Sequence, residues 1–480
     1  MAQYWGLALA VNYLIAALVI TSVLRRRKDP MAMLLWIFAI LSLPVLGSLL
    51  YGLVGSNRIR RKAGRRRRRI AHLITQFKHW AEQHAQAGET RTEGQLPEEL
   101  AAIEQLGRRL SQMPATAGNS VRICDEANAT YAALEEAIRS ARHHVHLEYY
   151  VWQPDETGRD FRDLLVEKAR SGVQCRVLLD SVGCWRISRR FTRPLVDAGA
   201  KVAFFLPLYP FRKRWSLHLR NHRKIAVMDG QVAFLGSQNI GDEYRGRLKR
   251  LSPWYDTHMR VDGPAALFVQ QTFAEDWFFA AREDLGGDAY FPEPLRPGNS
   301  VVQVLPTGPD QDVSALGQLL FAAVSSARES IRFETPYFVP DPGLRMALIH
   351  ACYRGVRVQL VLPTRSDSTL ALWAGRSFYA ELIQAGVEIY EYDLGVLHSK
   401  IVTVDDRWCM LGSANMDVRS FRLSFEITAL VYDEGVAREL SASIERHCAG
   451  GRRITLRSVW QRRWDRQLIE GAARLFAPVL

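Results

Sequence analysis

HLRNHRKIAVMDG, residues 218–230, and VLHSKIVTVDDRW, residues 396–408, each contain His-x-Lys-x4-Asp. The residues are His222, Lys224 and Asp229 in the first copy, and His398, Lys400 and Asp405 in the second. Gly-Ser-x-Asn follows each at the same offset, as Gly236-Ser237-Gln238-Asn239 and Gly412-Ser413-Ala414-Asn415. One triplet is what chance supplies in a long chain; two with matching trailers are a duplicated half-site.

The repeat extends on both sides of these motifs. Ser140-Ala141-Arg142 leads into an apolar run from Val145 to Trp152, and Ser326-Ala327-Arg328 into one from Ile331 to Val339. Glu148 and Glu334 fall at the same offset, as do Tyr150 and Pro336 beside Tyr337. Helix-like segments at 159–171 and 342–354 end in Gly172-Val173 and Gly355-Val356. Strands are expected at Cys175–Leu179 and Val358–Leu362, then at Val202–Phe205 and Val387–Tyr390. Apolar strands alternating with helices of this length predict an α/β fold in which each half is a mixed sheet flanked by helices. Residues 121–297 form the first half and 298–480 the second. A polar connector at 58–120 precedes them, with helical periodicity around Leu100 to Leu110.

Strand alternation from Leu397 to Val404 places His398 and Lys400 on one side, with Ser399 and Ile401 on the other. His222 and Lys224 follow the same rule. Asp229 and Asp405 fall at turns, where fixing the turn or pairing with a cation is the simpler role. An imidazole and an ammonium presented together suit a phosphate. Exchange at a phosphodiester needs a nucleophile, a proton donor for the leaving alkoxide and positive charge at the nonbridging oxygens. Two histidines in line supply the first two. Lys224, Lys400, Asn239 and Asn415 are expected to hold the equatorial oxygens. This chemistry calls for no metal and no cofactor.

The N-terminus has a different character. Apolar runs cover Trp5–Leu24 and Met31–Val54, each long enough to cross a ~30 Å hydrocarbon layer as a helix. Residues 1–57 are therefore expected to anchor the chain, with membrane segments at about 5–24 and 31–54. Pro44 and Gly47 make a re-entrant or interfacial second segment the alternative. Basic residues follow the first run, so it does not have the order of a cleaved leader. Residues 1–69 hold thirteen Lys or Arg against Asp29, a net +12 out of +13 for the whole chain. The excess is juxtamembrane, where it attracts anionic lipid and favours a cytoplasmic catalytic part. The near-neutral remainder lacks the field of a nucleic-acid binder. Six scattered cysteines form no CxxC pair, and Cys175 and Cys409 read as buried thiols. Phe204, Phe205, Tyr209, Phe211 and Trp215, interleaved with Arg212, Lys213 and Arg214, suggest a lip reaching toward lipid headgroups.

Taken together, the paired motifs resemble the phospholipase D superfamily and, within it, the bacterial cardiolipin synthases. The resemblance is carried by Asp29-Pro30, Leu43-Pro44, Asn221-His222-Arg223-Lys224, Gly236 to Tyr244, Trp254-Tyr255-Asp256-Thr257 and Thr335-Pro336-Tyr337-Phe338. Asn415 to Phe421 and the ending Ala477-Pro478-Val479-Leu480 complete it. Ser237 and Ser424 depart from the usual Gly and Asn.

The resemblance implies duplicated phospholipase D-like domains behind two membrane segments, in the bacterial inner membrane with the catalytic part facing the cytoplasm. It implies transfer of a phosphatidyl group from one phosphatidylglycerol to another, giving cardiolipin and glycerol through a phosphohistidine. By the same resemblance His222 is the nucleophile and His398 the general acid and base. Downstream acids orient the two histidines, Asp256 supporting His222 and Glu426 supporting His398. Anionic phospholipids are then the partners, and a homo-oligomer is compatible with the sequence. The residues alone leave open phosphatidylethanolamine as donor, plain hydrolysis, a membrane-bound nuclease and a noncatalytic scaffold.

Overall fold

This computed structural model describes residues 2–25, 30–43, 45–52, 96–207, 219–248, 252–311, 314–366 and 368–477. The basic arm from Arg58 to Arg69 and most of the aromatic loop, Tyr209 to Trp215 included, lie outside them. The chain divides into two units, Met1–Lys62 and Ala63–Leu480.

In the small unit, Ala2–Arg25 is one helix, but the second apolar run is not. It forms a helix of 13 residues, Pro30–Ser42, and a short one, Leu46–Leu50. Thirteen residues rise only about 20 Å, well short of the hydrocarbon thickness. The expected single span is therefore interrupted. Around the break Val45 adopts φ 64°, and its amide donates to Asn12 Oδ1 at 3.0 Å. Pro44, which has no amide proton, occupies this point of the sequence. Among the described residues no helix is long and apolar enough to cross a membrane.

The large unit is built on a 16-stranded sheet and a separate two-stranded one. Its first half supplies β1 (Ala115–Cys124), β2 (His144–Tyr149), β3 (Gln174–Asp180), β4 (Lys201–Phe205), β5 (Arg220–Asn221), β6 (Ile225–Met228), β7 (Val232–Gly236), β8 (Trp254–Tyr255) and β9 (His258–Asp262). The second supplies β10 (Ser300–Thr307), β11 (Ser330–Glu334), β12 (Arg357–Pro363), β13 (Glu388–Tyr392), β14 (Val396–Leu397), β15 (Ile401–Val404), β16 (Trp408–Gly412), β17 (Ser424–Tyr432) and β18 (Arg452–Ile454). The order is β18-β13-β12-β11-β15-β16-β17-β10-β1-β9-β7-β6-β2-β3-β4, so the halves meet at the antiparallel pair β10 and β1. The strand β1 straddles residue 120, where the sequence had suggested the connector ends.

Local chemistry repeats along with topology. The helix Glu156–Arg170 is capped by Asp155, which accepts from Gly158 N, and Pro342–Tyr353 by Asp341, which accepts from Leu344 N. Each helix is followed by a glycine at positive φ, Gly172 at 93° and Gly355 at 87°. The strands β2, β11 and β17 are buried along their whole length because helices cover both faces of the sheet. One expectation fails here. Phe205 is fully buried against Phe279 and Phe425, so it belongs to the core and not to a lip. Cys175 and Cys409 are buried thiols, as their apolar neighbourhoods suggested.

Candidate active site

Neither His-x-Lys lies within a ladder strand. His222 to Lys224 form the link between β5 and β6, and His398 to Lys400 the link between β14 and β15. The expected alternation nonetheless survives, because the links stay extended. Lys400 Nζ lies 3.2 Å from His398 Nε2 and donates to the His398 carbonyl at 2.5 Å. Lys224 Nζ donates to the His222 carbonyl at 2.6 Å.

The links hold this shape because each is stitched to the other half of the repeat. The strand β5 pairs in parallel with the start of β17, and His222 N donates to Phe425 O at 2.9 Å. Likewise β14 pairs in parallel with β8, and His398 N donates to Tyr255 O at 2.8 Å. Each histidine is thereby delivered to the acid next after the paired residues, Glu426 after Phe425 and Asp256 after Tyr255. His222 Nδ1 lies 3.0 Å from Glu426 Oε2, and His398 Nδ1 lies 2.8 Å from Asp256 Oδ1. The pairing inferred from resemblance is therefore reversed. Asp256, in the first half, serves the second histidine, and Glu426, in the second half, serves the first.

Burial sets the electrostatics. Desolvation pushes His222 down to about 4, against the opposing pull of Glu426, so its imidazole is neutral near pH 7. Desolvation likewise brings Lys224 down to about 7, with Lys400 adding to the fall and Glu426 opposing it. Lys400 also depresses His222, which places charges of both halves in one field. Burial would raise the two carboxyls, yet His398 holds Asp256 well below the usual carboxylate range, and His222 lowers Glu426.

The Gly-Ser-x-Asn elements prop up these acids. Ser413 Oγ donates to Glu426 Oε2 at 2.5 Å and accepts from Ile427 N. Ser237 Oγ accepts from Thr257 N at 3.0 Å, and its hydroxyl helps keep Asp256 ionised. The serine that departs from the usual glycine thus repeats Ser413's acceptance of a backbone amide, while its hydroxyl donates to the Thr257 carbonyl at 3.0 Å. The preceding glycines let the strands approach, since a Cβ on Gly236 would meet Thr257 O at 2.5 Å and one on Gly412 would meet Ile427 O at 2.2 Å. Asn239 is spent on structure, accepting from Val151 N and donating to Tyr244 Oη. Asn415 differs, because its buried Oδ1 has no hydrogen-bond partner.

Asp229 and Asp405 are not brought to this place. They sit at the far ends of β6 and β15, roughly 23 Å along the chain from the histidines. Asp229 accepts from the amides of Arg142, His143 and His144, and Asp405 from those of Arg328, Glu329 and Ser330. Both adopt positive φ and tie the turn to the start of the neighbouring strand. Among the described residues no cluster of His, Cys, Asp or Glu could hold a metal ion.

The comparisons with known proteins agree with this duplicated geometry. A family model described as "Cardiolipin synthase, PLD-like domain" matches residues 134–250 and 320–448. A second, "Phospholipase_D-nuclease N-terminal", matches residues 14–56. A cardiolipin synthase of Geobacillus sp. (strain WCH70) is 34% identical over 100% of this chain and 96% of its own length. The chain belongs to the cardiolipin synthases. Cardiolipin synthase 1 of Bacillus cereus is 32% identical over 94% of this chain and 90% of its own. The crystal structure of a phosphatidylserine synthase from Haemophilus influenzae Rd KW20 covers 80% of this chain and 100% of its own, with a TM-score of 0.61 and 16% identity. That last likeness is one of fold.

Two aromatic neighbours of this cardiolipin synthase site escaped the sequence reading as site residues. Tyr150 stands edge-on to His222 with ring centroids 4.8 Å apart, and Lys224 Nζ lies 5.4 Å from the centre of its ring. Trp254 covers His398 at 5.3 Å, and its Nε1 donates to Asp256 Oδ2 at 2.7 Å. Tyr150 was visible as a position of the repeat and Trp254 as part of a motif. Nothing in their spacing says that they cover opposite histidines.

Proposed function

We propose that this chain joins two phosphatidylglycerol molecules into cardiolipin and glycerol by a two-step phosphatidyl transfer on one shared site. The observation that supports it is the crossed pair of imidazole–carboxylate contacts, which makes neither half complete without the other. His222 is the nucleophile. Its Nδ1–H donates to Glu426, which leaves the Nε2 lone pair for phosphorus, and the neutral ring needs no prior deprotonation near pH 7.

In the first step His222 Nε2 bonds to phosphorus while the bond to the headgroup glycerol oxygen breaks. His398, in its protonated form, gives its proton to that oxygen, and Asp256 stabilises the imidazolium. In the second step a headgroup hydroxyl of another phosphatidylglycerol gives its proton back to His398 and attacks phosphorus, and the phosphorus–nitrogen bond breaks. Lys224 and Lys400 leave their intramolecular carbonyl contacts to hold the nonbridging oxygens as charge redistributes. Asn415 is assigned to share that task through its Nδ2, whereas the Nδ2 of Asn239 donates to Tyr244 Oη. The basic N-terminal unit keeps the enzyme at an anionic cytoplasmic leaflet, where both substrates reside.

Purified protein given labelled phosphatidylglycerol is expected to form cardiolipin and glycerol in equal amounts, and added glycerol to drive the reaction backward. Accumulation of phosphatidic acid in place of cardiolipin would make the chain a hydrolase. Labelled phosphatidylethanolamine appearing in cardiolipin would change the donor. Peptide mapping of the His398→Ala protein, given a substrate with an activated leaving group, should place a phosphatidyl adduct on His222.

A further inference from the structure

The last helix of the catalytic unit is inside out. In Trp464–Arg474 the positions turned toward the protein body are Glu470 and Ala473, which are buried. The stripe at i, i+4 and i+11 is Trp464, Leu468 and Leu475, exposed by 74%, 62% and 79%. Trp460, Ile469 and Phe476 are exposed beside it. Single exposed apolar residues are ordinary, but six large ones within seventeen residues form a patch that a free surface does not keep without use.

The helix is held firmly with this face outward. Arg462 donates twice to Glu470, at 2.9 and 3.0 Å, and its guanidinium lies over the Tyr379 ring. Arg474 lies 4.3 Å from the centre of the Phe378 ring and donates to the Ser377 carbonyl. These polar contacts and the buried Ala473 hold the helix in place, while the stripe of Trp464, Leu468 and Leu475 stays exposed.

The charge around the patch is one-sided. Of the two acids in the segment, Glu470 is neutralised by Arg462 and Asp465 by Arg463. Arg457 and Arg466 are exposed and have no ion-pair partner among the described residues. Tryptophan and leucine flanked by uncompensated arginine match the boundary between anionic headgroups and acyl chains.

We propose that residues 456–477 form an interfacial membrane dock for the catalytic unit itself, with an anionic phospholipid bilayer as its occupant. This rests on the reading of the substrate as a bilayer lipid. The dock adds a second attachment, borne by the catalytic unit independently of the apolar N-terminal unit.

The test uses the full chain reconstituted in vesicles of equimolar phosphatidylglycerol and phosphatidylcholine. A Leu468→Cys variant labelled with an environment-sensitive fluorophore should shift to shorter wavelength and be quenched by spin-labelled lipid. The same chain without Leu468→Cys, treated identically, supplies the background from native thiols. A Trp464→Ser, Leu468→Ser, Leu475→Ser variant should lose bilayer activity by about fivefold or more, while its rate on a water-soluble short-chain phosphatidylglycerol stays unchanged. Arg457→Gln with Arg466→Gln should weaken the dependence on anionic lipid without touching the apolar stripe.

A label that stays unquenched by lipid overturns the proposal. If its emission shifts only as protein concentration rises, the occupant is a second copy; if the shift persists in detergent, it is another part of this chain. Loss on both substrates would mean the triple variant damages the fold, and the labelled variant then decides. Failure of the enzymatic reading would instead appear as an altered product with the quenching intact.

Discussion

Around His222 the chain builds a rigid polar floor, whereas around His398 it builds an aromatic wall, although the two motifs are copies. The residue between His222 and Lys224 is Arg223, fully enclosed. Its guanidinium pairs with Asp276 and donates to the carbonyls of Glu426 and Thr307, at 2.9 and 3.1 Å. It thus fixes the backbone of the very acid that orients His222. Asn221 adds Glu148 to this floor at 2.5 Å, and burial beside Asp276 pushes the Glu148 carboxyl well above its ordinary range. At the matching place in the second half stands Ser399, whose hydroxyl accepts from Thr257 Oγ1 at 3.1 Å. There Glu334, the counterpart of Glu148, binds His447 at 2.7 Å, and the contact raises that imidazole. Trp254 then closes over His398, while its repeat equivalent, Ser424, leaves His222 to Tyr150. Duplication has kept the surface that presents imidazole and ammonium and let the layer beneath diverge. A clamped neutral imidazole suits the nucleophile, and one beside an indole-bound carboxylate suits the group that exchanges a proton.

The sharpest way to break this comparison is to separate the two chemical roles. Replacing either His222 or His398 by Ala is expected to lower turnover by about 10²–10⁴-fold, with losses that do not add in the double variant. The carboxylates should follow the crossed pairing. With a p-nitrophenyl leaving group, which needs no proton, the single-turnover burst should return in His398→Ala and in Asp256→Asn. It should stay suppressed in His222→Ala and Glu426→Gln. A restored burst in Glu426→Gln would mean that this acid serves the proton-transfer histidine after all.

A second measurement weighs the floor against the wall. Arg223→Met removes the cation paired with the buried Asp276 carboxylate, which keeps a hydrogen bond from Asn221 Nδ2 at 3.3 Å, and takes a donor from two carbonyls. The expected cost is about 3–5 kcal/mol, read as a lowered urea midpoint. Ser399→Ala, at the matching position, should cost only about 1 kcal/mol. Equal losses would show that the two half-sites are supported alike.

The smallest effect concerns pH. Lys224 titrates near 7, below the ordinary lysine range, because burial disfavours its charge. Its ammonium is therefore present below pH 7 and lost as pH rises through that value. Affinity for inorganic phosphate should fall on the order of tenfold between pH 6 and pH 8. Lys224→Arg, charged throughout, should flatten that profile, whereas Lys400→Arg should leave it in place.

Much of the fold was legible because its information is local. Alternating apolar runs and Gly-Val stops recur in both halves, and each predicted strand of the repeat lies within five residues of its observed bounds. The turn positions of Asp229 and Asp405 were legible too, but the amides they bind belong to the start of a neighbouring strand remote in sequence. The misreadings share one cause, which is that the deciding contacts are remote. Phe205 looked like part of an exposed lip until Phe279 and Phe425 closed over it. The second apolar run looked continuous, but the amide of Val45 finds its partner at Asn12, in the preceding helix.

The sequence by itself determined that there are two half-sites, that each offers an imidazole and an ammonium on one side of an extended segment, and that they belong together. Periodicity and spacing suffice for this, because neighbouring side chains are placed by the backbone that joins them. Only the tertiary structure decided which acid orients which histidine. Asp256 and Glu426 each follow a motif at comparable separation, so chain distance favours the uncrossed pairing. The parallel pairing of β5 with β17 and of β14 with β8 overrides it, carrying each histidine across to the acid of the opposite half.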